Sequence, residues 1–72
     1  MDRKQRNILI ADTIVSYRQQ YQSLLQTVSK ELAYALIQSK IYGFVDCLRQ
    51  LRLIEVWTIS HLCDELIGEI IA

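Results

Sequence analysis

The chain contains no proline, and its first glycine is Gly43. More than half of the 72 residues therefore come before any residue that ordinarily breaks a helix. Within this stretch apolar residues recur at Ile10, Ile14, Tyr17, Tyr21, Leu24 and Val28, in alternating steps of four and three. That spacing keeps one side of a helix apolar over about five turns. The surrounding residues are rich in Gln, Arg, Leu, Ala and Lys, all good helix formers. Residues 3–40 thus predict one long helix of about 55 Å at 1.5 Å per residue.

The four-three alternation slips after Val28, where the stripe resumes through Leu32, Ala35, Leu36 and Ser39. Thr27 and Ser29 sit at the slip, and both residue types favour helix caps over helix interiors. A kink or break near Thr27–Lys30 is the alternative to a continuous helix. Beyond it, residues 41–43 read as a turn in which Gly43 adopts the left-handed conformation that ends helices. A second helix follows over about 44–52, with Phe44, Val45, Leu48 and Leu51 on its apolar face. A third over about 55–71 carries the doublets Leu62/Cys63, Leu66/Ile67 and Ile70/Ile71. Doublets make an apolar arc wide enough for two neighbours.

The expected architecture is a single all-α domain: a long N-terminal helix with two shorter helices folding back on it. Hydrophobic residues make up 51% of the chain. A domain of this size buries only about 60% of the surface its unfolded chain exposes. The remainder after Gly43 is short, so covering the long stripe calls for a second copy. The sequence therefore predicts a homodimer built on Ile10, Ile14, Tyr17, Tyr21, Leu24, Val28, Leu66 and Ile70, a symmetric dimer being the commonest closed assembly.

Charge supports an antiparallel arrangement. Residues 1–30 hold Arg3, Lys4, Arg6, Arg18 and Lys30 against Asp2 and Asp12. Residues 31–72 hold Lys40, Arg49 and Arg52 against Glu31, Asp46, Glu55, Asp64, Glu65 and Glu69. A basic half and an acidic half favour their mutual contact and help select orientation. Zero formal net charge argues against bulk electrostatic capture of nucleic acid or of an anionic membrane.

No segment reaches the roughly 20 charge-free apolar residues that span a bilayer. No signal peptide is visible, and two cysteines do not make a secreted disulfide framework. A cytoplasmic location is expected. Cys47, His61 and Cys63 lack the paired spacing of a zinc site and read as two buried thiols and a surface histidine. Asp64 and Glu65 read as a solvated face. No catalytic residues, metal or cofactor are expected.

Tyr34, Tyr42 and Trp57 lie near the predicted helix junctions, with Arg49 and Arg52 close by, and form the candidate partner-binding group. The segment Arg3, Lys4 and Arg6 is the candidate nucleic-acid arm of a dimeric DNA-binding regulator. That reading ranks second, because the third helix presents Asp64, Glu65 and Glu69 where a recognition helix carries Arg, Lys, Asn or Gln. An enzyme subunit without an active site of its own ranks third. The leading expectation is a small non-enzymatic regulator, adaptor or inhibitor that acts on an unidentified protein partner.

Overall fold

A computed structural model describes residues 3–72. Three helices pack together: α1 (Arg3–Leu24), α2 (Lys30–Gln50) and α3 (Ile59–Ile71), the last entered through a 3₁₀ turn (Val56–Thr58). There is no strand among the described residues.

The long helix of residues 3–40 is broken at the phase slip, and the chain takes the alternative course. Past Leu24 the backbone tightens: Thr27 and Val28 both donate their N–H to the Leu24 carbonyl, at 3.0 and 2.9 Å. Ser29 then leaves the helical region at φ −64°, ψ 157°. Its Oγ accepts from the Leu32 N–H at 3.2 Å, capping one of the unpaired amides of α2. Glu31 adds a negative charge in the first turn, at the positive end of the helix dipole. Val28 and Ala33 occupy the positions of a hydrophobic staple, with Ala33 in the core and Val28 half-buried against it. The break folds the α1 stripe against α2, but the continuation predicted through Leu32, Ala35, Leu36 and Ser39 stays exposed, and α2 turns the row Ala33, Ile37, Ile41, Val45 and Leu48 inward instead.

The turn predicted at residues 41–43 does not form. Gly43 lies inside α2, no described glycine has positive φ, and the predicted helix 44–52 is the second half of the same 21-residue element. The reason is the apolar row Ala33, Ile37, Ile41, Val45 and Leu48, which runs unbroken across the glycine and is fully buried. A mid-helix glycine costs about 1 kcal/mol relative to alanine. Burying one Ile or Val side chain returns about 1.5–3 kcal/mol, so the row wins.

α2 ends without glycine. Leu53 N–H reaches the Leu48 carbonyl (2.9 Å) and Arg52 N–H reaches that of Arg49 (2.9 Å), the two bonds of a Schellman cap. Arg52 takes the left-handed position at φ 60°. The predicted third helix begins later than residue 55. Val56–Thr58 make a 3₁₀ turn, closed where the Thr58 hydroxyl donates to the Glu55 carbonyl at 2.7 Å, and α3 starts at Ile59.

Lys40 donates to the Gln20 side chain, and Arg6 donates to the Leu53 carbonyl at 3.2 Å. These two contacts set α1 and α2 antiparallel. Arg18 donates to the Glu69 carbonyl, with its guanidinium 4.0 Å from the Glu69 carboxylate. α3 therefore runs parallel to α1, giving an up-down-up bundle of 37 × 21 × 17 Å. The core is Tyr21 from α1, the α2 row, and Cys63, Leu66, Ile67 and Ile70 from α3. The doublets of α3 face two neighbours as expected, and both belong to the same chain.

Candidate functional surface

The stripe predicted to join two chains lies inside this bundle. Ile10, Ile14, Tyr17, Leu24 and Val28 are half-buried against the core, while Tyr21, Leu66 and Ile70 are buried in it. The expectation that the rest of the chain is too short to cover the stripe is thereby corrected. With the turn at residues 25–29, all of α2 becomes available as cover.

The partner-binding group is dispersed. Tyr34 stands at the loop end of the bundle beside Tyr21, Lys30, Glu31 and Ile71. Tyr42 is exposed on α2, far from either helix end. Arg49 is committed to Asp46, to which it donates from Nε (3.1 Å) and from a terminal nitrogen (2.8 Å). This fork, with Gln50 donating to the other carboxylate oxygen at 2.8 Å, holds the Asp46 carboxyl below its ordinary value, the Arg49 hydrogen bond acting most strongly.

Arg52 and Trp57 do come together, and the basic arm joins them. Arg3, Arg6, Arg52, Leu53, Ile54, Glu55, Trp57 and Thr58 line one concavity at the base of the bundle, where α1 begins and α2 ends. Two groups read separately from the sequence thus meet in one place. Three local devices build the site. The Schellman cap turns the chain at Arg52, the 3₁₀ turn presents Val56 and Trp57, and the hydrogen bond from Arg6 to the Leu53 carbonyl ties α1 to that segment. Trp57 is 81% exposed, Val56 67% and Leu51 54%. The guanidinium groups of Arg3 and Arg52 make no hydrogen bond or ion pair among the described residues, while that of Arg6 also forks onto its neighbour Asn7. Lys4 lies one concavity further along α1, with Arg3, Asn7, Ile8 and Ala11.

Leu51 escapes the sequence reading because it stands on the apolar face of the predicted second helix, and Val56 because it falls within the predicted third. The signal was available in Arg52-Leu53, where a helix ends without glycine and the apolar phase is lost.

The remaining polar groups are surface features. His61 Nε2 lies 3.0 Å from the Glu65 carboxylate, and both side chains are well exposed. Among the described residues no group of His, Cys, Asp or Glu is arranged to hold a metal ion. The two thiols differ from the expectation of a buried pair: Cys63 is buried, but Cys47 is exposed on α2. Burial, with some help from Asp64, raises the Cys63 thiol above its ordinary value. No helix among the described residues is long and apolar enough to cross a membrane.

No protein-family model matches the chain, and neither do any curated protein or solved structure.

Proposed function

We propose that the chain is a small, non-enzymatic, cytoplasmic protein-interaction module that docks through the base of its bundle. One observation carries the reading: a tryptophan 81% exposed, next in the chain to exposed Val56, in a concavity rimmed by Arg3, Arg6 and Arg52. Water around such an apolar cluster is released when a partner covers it. Tryptophan and arginine are the side chains most enriched at energetic centres of protein interfaces. Three guanidinium groups against the single carboxylate of Glu55 select a partner segment with acidic side chains around an apolar anchor. The exposed, unpaired thiol of Cys47 suits a reducing compartment.

The test is to replace Trp57 with photoreactive benzoylphenylalanine and irradiate cells expressing the full chain. Position 57 is exposed, so the replacement leaves the core untouched. The expected result is a discrete protein adduct that disappears when Arg3 and Arg52 are both changed to Glu. An adduct with nucleic acid instead would establish the DNA-binding alternative. No adduct, or one indifferent to charge reversal, would sink the proposal.

A further inference from the structure

The charges at the base of the bundle are not balanced from within. Arg3 and Arg6 share one face of the first turn of α1. Arg52 joins them from the cap of α2, and all three line a single concavity of about 350 Å³. Each guanidinium is a planar fork of N–H donors. Those of Arg3 and Arg52 have no partner among the described residues. Arg6 gives its Nε and one terminal nitrogen to Asn7 and the other terminal nitrogen to the Leu53 carbonyl, leaving one N–H free on each terminal nitrogen. Glu55 supplies the site's single carboxylate. It makes no capping hydrogen bond and no ion pair with these arginines. The concavity therefore holds 3 − 1 = +2 charges.

The geometry points to a phosphate monoester as the group this site takes: a phosphoserine or phosphothreonine of the partner, next to an apolar residue that packs on Trp57. This inference rests on the docking role proposed above and names the chemistry that controls it. A phosphorylated side chain carries about −1.5 to −2 charges at neutral pH, with three strong acceptor oxygens. One such group matches the excess charge, and its oxygens suit the paired donors of arginine. Two carboxylates would have to crowd their like charges into the same small space. An uncharged segment would cover the arginines and leave them unpaired, a cost that turns it away. Trp57 decides between a bound peptide and a free phosphate ion. Its ring is 81% exposed and adjoins exposed Val56, so a flanking apolar side chain can cover it while an ion alone cannot.

The test uses the full chain on degenerate peptide arrays that hold a fixed central phosphoserine, a fixed pair of glutamates or a fixed serine. Retention on the phosphoserine array should exceed that on the glutamate array about tenfold, the yield of one further charge-assisted hydrogen bond. A large apolar residue should be selected beside the phosphoserine. Trp57 is the one tryptophan of the chain, so its fluorescence reports the site directly. The selected phosphopeptide should move its emission to the blue and shield it from iodide. Arg3→Gln and Arg52→Gln should each weaken retention about tenfold with unchanged helicity, since both positions are exposed. Equal retention on the glutamate and phosphoserine arrays overturns the phosphate and leaves the acidic partner standing. Retention on no array overturns both. Inorganic phosphate that reproduces the full Trp57 response at the same concentration marks an ion site and overturns the phosphopeptide.

Discussion

Replacing Gly43 with alanine separates the helix seen here from the turn that glycine suggests by itself. In the structure Gly43 sits in the interior of α2 at a backbone conformation open to any L-residue. A methyl group built there meets nothing within 4 Å. Alanine therefore brings no clash, removes backbone freedom from the unfolded chain and raises helix propensity, together worth about 0.5–1 kcal/mol of stability. Gly68, inside α3, is open in the same way. The two positions lie on different helices, so their effects should add to about 1–2 kcal/mol. For a domain of this size each kcal/mol moves the melting temperature by about 4–8 °C. The assay is a thermal melt followed by far-ultraviolet circular dichroism, at fixed protein concentration because any self-association makes the midpoint concentration-dependent. A urea titration should show a higher midpoint and an unchanged slope. If residue 43 were a left-handed turn, alanine would instead cost about 1–2 kcal/mol and the midpoint would fall. A lowered midpoint for Gly43→Ala refutes the continuous α2.

The other predictions address the cap, the core and the thiols. Ser29→Ala leaves the Leu32 amide without its side-chain acceptor and should lower stability by about 1 kcal/mol; Ser29→Asp should retain most of it. Ile41→Ala, at a fully buried site in the α2 row, should cost about 2–5 kcal/mol, enough to leave much of the chain unfolded at 37 °C by circular dichroism. A thiol reagent should label exposed Cys47 promptly and Cys63 only as fast as the fold opens; equal rates would contradict the buried position of Cys63. The Cys63 thiol has a folded value raised above the unfolded one by burial. Its contribution is therefore complete below the ordinary thiol range and is lost as pH rises above about 9. Urea midpoints measured across that range should fall, and Cys63→Ala should flatten the fall.

Much of the bundle was legible in the residues, and the misses have physical causes. The helical class followed from the breaker-free opening, and the width of the α3 face followed from its doublets. The hinge at residues 25–29 was visible as a phase slip with Thr27 and Ser29 at its centre. What propensity could not decide was that the slip outranks the glycine. The buried row from Ala33 to Leu48 is a tertiary term, and it appears only once α2 has α1 and α3 to pack against. The cap at Arg52 was hidden for a related reason, because a Schellman motif with arginine in the glycine position leaves only the loss of apolar phase at Arg52-Leu53 as its mark. The basal surface was half legible: each of its groups stood out, but their meeting depends on the direction of α1 relative to α2. That direction is set by the hinge.

The core is unevenly shared, and this has a kinetic consequence. α2 and α3 contribute nine of the ten buried residues, while α1 contributes Tyr21 alone and lies on the outside with half-buried contacts. The α2–α3 pair is therefore the unit that opens last, and α1 belongs to a lower rung of local unfolding. Amide hydrogens of α1 should exchange with deuterium well before those of Ile37, Ile41 and Val45. In the undocked state the chain is a two-helix remnant trailing a free α1 arm, with the stripe from Ile10 to Leu24 uncovered. The five-residue hinge at 25–29 thus acts as a tether, keeping the released arm beside the α2–α3 face it has left.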